Sequence, residues 1–111
     1  MGSSLVLYVH VILGILVAAC AALFVWFRLG RQIMIYLLAL QILAGLVLIV
    51  LGHRAPAPHY VLGAAGWAGY MGASYMDRQP DTAKNVLVLT ILSSLLVLLA
   101  AFLGARAAGV G

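Results

Sequence analysis

Four apolar segments separated by short polar breaks constrain the fold more than any other feature of this sequence. They cover about residues 5–27, 33–52, 59–76 and 85–105. Since a bilayer core of about 30 Å is crossed by about 20 apolar residues in a helix, each segment is long enough to span a membrane. Short connections make consecutive helices antiparallel. We therefore predict an all-α membrane protein, a four-transmembrane-helix, up-down-up-down bundle in a single domain covering residues 1–111.

The composition excludes most soluble classes. Of the 111 residues, 67% are hydrophobic and 7% are charged, and the mean hydropathy is +1.23. A soluble domain of this size could not bury so much apolar surface. The net charge of +4 comes from six basic residues scattered singly, which form no patch for nucleic acid. We expect the chain to lie in a lipid bilayer.

Basic residues near the helix ends predict the orientation of the bundle. The face with the first and third breaks carries Arg28, Arg31, Arg78 and Lys84, whereas the opposite face carries Arg54 and Arg106. Because cytoplasmic loops hold an excess of Lys and Arg, the first face is predicted to be cytoplasmic. Both termini would then lie outside. We expect the membrane to be the bacterial inner membrane.

The sequence also contains an internal repeat with an offset of 49 residues. "HVILG" at 10–14 aligns with "HYVLG" at 59–63, and "QILAGL" at 41–46 aligns with "TILSSL" at 90–95. Two tandem helical hairpins would explain both matches. Parallel repeats of this kind are related by an axis along the membrane normal, which places the first and third helices opposite each other. His10 and His59 should then meet at one depth near the outer face.

Two histidines related by a repeat suggest one shared ligand. An ionisable residue inside a membrane span marks function by default. An iron held between His10 and His59 would satisfy both rings, and haem b is the expected cofactor. Gly14 and Gly63 follow the histidines by one helical turn on the same face, and Gly66 extends that surface. These glycines would leave room for the flat macrocycle.

Other readings of these residues stay open. His53 is a rival iron ligand, and Arg54 or His53 could pair with a haem propionate. Glycines spaced three and four apart also allow close helix packing in membranes, and we assign Gly69 and Gly72 to that role. The histidines could be ordinary polar residues at the membrane interface, without any cofactor.

Gln41 is the other polar side chain in the middle of a predicted span. We expect it to hydrogen-bond Thr90, Ser93 or Ser94 across the bundle, as polar groups do between membrane helices. Binding of a quinone carbonyl is a second reading. The sequence shows no paired carboxylates, phosphate loop or zinc motif, which argues against an independent hydrolase or transferase.

The pattern resembles the four-helix cytochrome b architecture and, more loosely, one half of a haem A synthase, where histidines on non-adjacent helices bind haem near the outer face. The resemblance covers the bundle layout and the two histidines, His10 and His59, each followed by Leu-Gly. His53 and Arg54 match the His-Arg pair of the synthase motif. The glutamate that precedes that pair in the synthases is absent, since this sequence contains no glutamate. The resemblance therefore implies electron transfer rather than synthase chemistry.

These observations lead to one main hypothesis and three alternatives. The main hypothesis is a non-catalytic b-type cytochrome subunit of a respiratory or photosynthetic membrane complex, with one haem and with other subunits or a quinone as redox partners. The first alternative is a cofactor-free accessory or assembly subunit. The second is a subunit whose histidines bind (bacterio)chlorophyll. The third is a small multidrug-type transporter, although the intramembrane glutamate that such a transporter needs is missing.

Overall fold

The computed structural model describes residues 2–107, which form four helices connected by short segments. The helices are α1 (Gly2–Leu23), α2 (Arg28–Val50), α3 (Ala57–Met76) and α4 (Ala83–Ala107). They form an elongated bundle of 50 × 21 × 20 Å. Among the described residues, α1 and α3 each pack against α2 and α4 but not against each other, so they occupy diagonal positions. The predicted all-α four-helix fold is confirmed.

Three of the four described helices are long and apolar enough to cross a membrane. They are the segments Ser4–Leu23, Arg28–Val50 and Ala83–Arg106. Their surfaces carry many exposed large apolar side chains, which indicates a lipid environment. Helix α3 falls short of this hydropathy, because glycine, alanine and polar residues make up much of its sequence. The expectation of four apolar spans is therefore met in three helices.

The first connection differs from the sequence-based prediction. The first helix was expected to reach residue 27 and the second to begin at 33, whereas α1 ends at Leu23 and α2 begins at Arg28. The turn between them consists of apolar residues, 24–27, which hydropathy cannot distinguish from a helix. A Cβ on Gly30 would collide with the carbonyl oxygen of Phe24. Glycine at this position allows the turn to fold back onto the start of α2.

The first helix begins three residues earlier than predicted, the third ends at Met76 as predicted, and the remaining bounds differ by two residues. Helix α2 ends at Val50 rather than 52, α3 begins at Ala57 rather than 59, and α4 covers Ala83–Ala107 rather than 85–105. Gly52 follows α2 with a φ of +96°, a conformation that favours glycine. Pro58 lies in the first turn of α3, where proline is well tolerated.

The connection between α3 and α4 is stabilised by a threonine side chain. The sequence suggests Asp81 or Thr82 as a helix cap for α4. In the structure the Thr82 hydroxyl instead donates to the carbonyl oxygens of Met76 at 2.5 Å and Gln79 at 3.0 Å. Asp81 has a φ of 60°, which aspartate tolerates better than most residues. Thr82 therefore closes the loop rather than capping the helix.

The core lies in the middle of the bundle and draws on all four helices. It contains Val17, Ala21, Val25, Met34, Leu38, Tyr70 and Val97. Buried positions alternate at intervals of four and three residues, as at 86, 90, 93, 97 and 100 of α4. This spacing is typical of helices that pack with a left-handed twist. The core holds the four helices in one arrangement, and this arrangement positions the polar residues at the two ends of the bundle.

Helices α3 and α4 approach closely because α3 presents glycines to α4. A Cβ on Gly66 would lie 2.5 Å from Cγ2 of Val97, and one on Gly69 would collide with the hydroxyl of Ser93. The predicted packing role of Gly69 is therefore confirmed. A Cβ on Gly72 would make an ordinary contact at 3.8 Å with Leu89, so the close approach does not depend on it.

Candidate functional site

His10 and His59 lie next to each other at one end of the bundle. Their ring centroids are 6.3 Å apart, and the ring planes are nearly perpendicular at 88°. The two residues belong to the diagonal helices α1 and α3, and both are half-buried. The proximity that the 49-residue repeat predicts is therefore observed.

Each histidine lies against a glycine of the following helix. A Cβ on Gly45 would come within 3.4 Å of Cε1 of His10, and a Cβ on Gly104 would come within 2.6 Å of Cε1 of His59. Gly104 therefore makes room for the ring of His59, whereas the contact between Gly45 and His10 is an ordinary one. Sequence reasoning missed them, although each is a glycine inside an otherwise apolar helix, where glycine is unfavourable by about 1 kcal/mol relative to alanine.

The glycine contacts show that α2 and α4, the second helices of the two hairpins, are not related by the 49-residue offset that relates the histidines. The histidines are 49 residues apart, but Gly104 follows Gly45 by 59 residues. The structural counterpart of Gln41 is therefore Ala100 rather than Thr90, and the match of 41–46 to 90–95 is wrong as a structural equivalence. The cause is that α3 extends further at its C-terminal end than α1 does, and that the loop after α3 is longer than the turn after α1.

The two imidazoles have different hydrogen-bonding environments. Nδ1 of His59 lies 2.6 Å from the carbonyl oxygen of Ala100. Because a carbonyl can only accept, Nδ1 donates in this contact, and in the neutral ring Nε2 then carries the lone pair. Nδ1 of His10 is buried and has no hydrogen-bond partner among the described residues. The pair therefore has unused hydrogen-bonding capacity.

Gln41 lies between the same two helices as His10, α1 and α2. Its side-chain nitrogen would be 3.1 Å from a Cβ on Gly14, so Gly14 gives it space. His10 packs on Gly45 of α2, and one turn along, Gln41 packs on Gly14 of α1. Each polar side chain therefore packs on a glycine of the opposite helix. The side-chain oxygen of Gln41 is buried without a hydrogen-bond partner in the described part of the chain.

The expected bonds from Gln41 to α4 are not formed. Thr90 donates to the carbonyl oxygen of Val86 at 2.7 Å, and the hydroxyls of Ser94 and Tyr70 pair with each other at 2.7 Å. Gln41 packs against α1 instead, because Gly14 leaves a gap there that its amide fills. This polar residue thus belongs to the histidine end of the bundle.

The three glycines expected beside a cofactor differ from one another. Gly14 is covered by the Gln41 amide, and Gly66 packs against Val97 of α4. A Cβ on Gly63 would meet nothing within 4 Å among the described residues. An open space therefore lies one turn from His59, at the position of Gly63.

The remaining predicted residues lie in the segment between α2 and α3. His53 and Arg54 are exposed, and neither side chain forms a hydrogen bond within residues 2–107. The hydroxyl of Tyr60 accepts a hydrogen bond from the backbone N–H of Ala55 at 2.8 Å, and its ring lies 5.5 Å from that of His59. This bond ties the segment to the start of α3, near the histidine pair.

The donor set limits the kind of metal centre that this end of the bundle could hold. Within residues 2–107 no three or more His, Cys, Asp or Glu side chains converge as a metal site. The two imidazoles could supply two ligands, so the other ligands of a bound metal would have to come from outside the chain.

Comparison with known proteins gives no match: no family model, no curated protein and no solved structure matches this chain. The resemblance to cytochromes b and haem A synthases therefore stays a prediction from the sequence.

Proposed function

We propose that this chain is a small b-type cytochrome subunit of a respiratory or photosynthetic membrane complex, with one haem b held between His10 and His59. The observation that carries the proposal is the approach of two imidazole rings from diagonal helices. A metal bound at about 2 Å by two opposed imidazole nitrogens would hold the ring centroids about 6 Å apart. The observed separation is 6.3 Å, a distance that is also usual for edge-to-face packing of two rings.

Other features of the site support the same proposal. A metal-binding histidine usually donates its second N–H to a carbonyl or carboxylate, which fixes the tautomer and the ring. His59 has such a partner in the carbonyl of Ala100. The open space at Gly63 lies on the same helix face and is compatible with a bulky apolar group. Perpendicular ring planes are acceptable, because each imidazole can take any rotation about its own metal–nitrogen bond.

A bound haem would supply one-electron transfer, and the chain would hold it in an apolar environment. One haem near one face cannot carry an electron across about 30 Å of hydrocarbon, so another redox centre or a quinol is required. We therefore place the chain in the bacterial inner membrane beside other subunits, with both termini outside. Met1 and residues 108–111 lie outside the described residues.

Spectra of the full-length protein, purified after haem-supplemented expression, test the proposal. We expect a Soret band that shifts and sharpens on reduction with dithionite. His10→Ala and His59→Ala should each lose the spectrum of a haem with two axial histidines, whereas His53→Ala should keep it because His53 is exposed. Wild-type protein that shows no Soret band after haem-replete expression would overturn the proposal.

A cofactor-free accessory subunit is the second candidate. It is favoured by the packing of His59, whose ring already has the Ala100 carbonyl and the Gly104 backbone as neighbours. This reading predicts that neither histidine variant changes the spectrum or the assembly of the complex. Binding of (bacterio)chlorophyll needs only one histidine, and absorption in the red region by an extracted pigment would identify it.

A further inference from the structure

A second polar cluster lies at the end of the bundle opposite the histidine pair. Nε of Arg28 donates to Oδ2 of Asp77 at 2.7 Å, and Nη2 of Arg31 donates to the same oxygen at 2.9 Å. Two guanidinium groups thus share one carboxylate. The cluster keeps one positive charge that this carboxylate does not neutralise.

The two arginines differ in their access to water. The side chain of Arg28 is 68% exposed, whereas that of Arg31 is 8% exposed. Solvent and salt screen the charge of Arg28, but a buried charge such as that of Arg31 is screened much less. The largely buried Arg31 therefore has one anionic partner, which it shares with Arg28.

Arg31 also has hydrogen-bond donors to spare. A guanidinium group carries five N–H donors, and a buried one normally uses most of them. In Arg31, Nη2 donates to Asp77 and Nη1 donates to the carbonyl oxygen of Val25 at 3.1 Å. Nε is buried and has no partner among the described residues. Because Nε is covered, the donors that an anion can use are the second N–H groups of Nη1 and Nη2.

A cavity of about 230 Å³ lies beside Arg31 and Asp77. It is also lined by Trp26 from the first turn and by Ala83 and Leu87 at the start of α4. Since a water molecule takes about 30 Å³ of liquid volume, a phosphate group can enter this space. The cavity lies where apolar helices end, so in a bilayer we expect it at the depth of lipid headgroups, where tryptophan is enriched.

We propose that this cavity binds the phosphate group of an anionic phospholipid headgroup, with Arg31 as its main donor. Basic pockets between helices at a membrane surface are suited to such lipids. Leu87 and the apolar surface of α4 continue from the cavity along the bundle, where an acyl chain can lie. A lipid at this position would supply the negative charge that the cluster lacks. The proposal does not depend on the haem.

Lipid retention by the full-length protein tests the proposal. Wild type is solubilised with equal amounts of phosphatidylglycerol and phosphatidylcholine, and the retained lipid is counted by native mass spectrometry. We expect phosphatidylglycerol to be preferred. Arg31→Gln should reduce the preference about fivefold, as expected for one basic residue near a lipid surface. Arg78→Gln is the matched control, because it removes the same charge at the same end but is exposed and does not line the cavity.

A second variant keeps the test decisive if Arg31→Gln fails to fold. Ala83→Phe places a bulky ring in the wall of the cavity, leaves every charge in place and should also reduce the preference. Equal retention of the two lipids by wild type, or a preference that Ala83→Phe leaves unchanged, would overturn the proposal. Inorganic phosphate added to lipid-free protein distinguishes the source of the anion. Stabilisation at millimolar phosphate with no preference among lipids would overturn the lipid assignment.

Discussion

The imidazole of His59 lies directly over Gly104, and a Cβ there would come within 2.6 Å of Cε1 and 2.9 Å of Nδ1. One turn earlier in the same helix, the carbonyl of Ala100 lies 2.6 Å from Nδ1. Helix α4 therefore fixes His59 through two backbone features. His10 has a looser contact with Gly45 at 3.4 Å. The orientation of the His59 ring thus depends on Gly104, whereas Gly45 makes only an ordinary contact with His10.

Gly104→Ala should displace the His59 ring, because the added methyl group would occupy its place. Overpacking of this kind costs about 1–3 kcal/mol, so we expect a lower melting temperature and, with haem bound, an altered or lost spectrum of the histidine-ligated iron. Gly45→Ala is the matched control, since its contact of 3.4 Å is ordinary and should be tolerated. A Gly104→Ala protein with the stability and spectrum of wild type would contradict the packing described for His59.

Gly63→Ala separates a structural role from a cofactor role. Nothing among the described residues lies within 4 Å of the added methyl group, so in a cofactor-free protein alanine should stabilise the helix by about 1 kcal/mol. If the macrocycle occupies this space, the same substitution should lower the ratio of haem to protein. Thermal denaturation and haem quantification provide the two readouts. An unchanged ratio would show that the cofactor does not use this space.

The repeat in the sequence was sufficient to predict that His10 and His59 meet, because both lie on helices whose buried faces share the 49-residue offset. Val17 and Ala21 of α1 are buried, and so are their counterparts Gly66 and Tyr70 of α3. The bundle itself followed from the length of the apolar segments and the shortness of their connections. The apolar segments and their connections can be read directly from the sequence.

The parts that could not be predicted depend on contacts between helices. The turn at 24–27 is as apolar as a helix, and only its contact with Gly30 reveals it. The shift of α4 relative to α2 depends on where α3 ends, which hydropathy determines only to within a few residues. Gly45 and Gly104 could have been noticed as unfavourable glycines, but their partners are known only once the helix register is known. That Gln41 packs against α1 rather than α4 likewise depends on the helix register.

Gln41→Leu should stabilise the protein. The side-chain oxygen of Gln41 is buried without a partner in the described part of the chain, and an unsatisfied buried polar group costs about 1–3 kcal/mol. Leucine has a similar size and removes this cost. Gln32→Leu is the control, because Gln32 is exposed on the same helix and should have little effect. Unfolding in detergent measures both variants. A loss of stability in Gln41→Leu would indicate that Gln41 has a polar partner, such as a bound quinone or water.

Asp77 should make stability depend on pH in the acidic range. The hydrogen bond from Arg28, with a smaller contribution from Arg31, holds the pKa of the Asp77 carboxyl below its usual range. A carboxyl group with a lowered pKa in the folded state contributes stability that is fully present above its unfolded pKa of about 3.9. This stability is lost as the pH falls through the folded pKa.

Denaturation of Asp77→Asn and wild type at a series of pH values from about 7 down into the acidic range checks this dependence. We expect the variant to be less stable than wild type at neutral pH and the difference to disappear at the acidic end, because both proteins are then uncharged at this position. Asp81→Asn is the control: no arginine bonds Asp81 in the described residues, and asparagine tolerates its positive φ. A difference that stays constant with pH would mean that Asp77 acts through packing rather than through its charge.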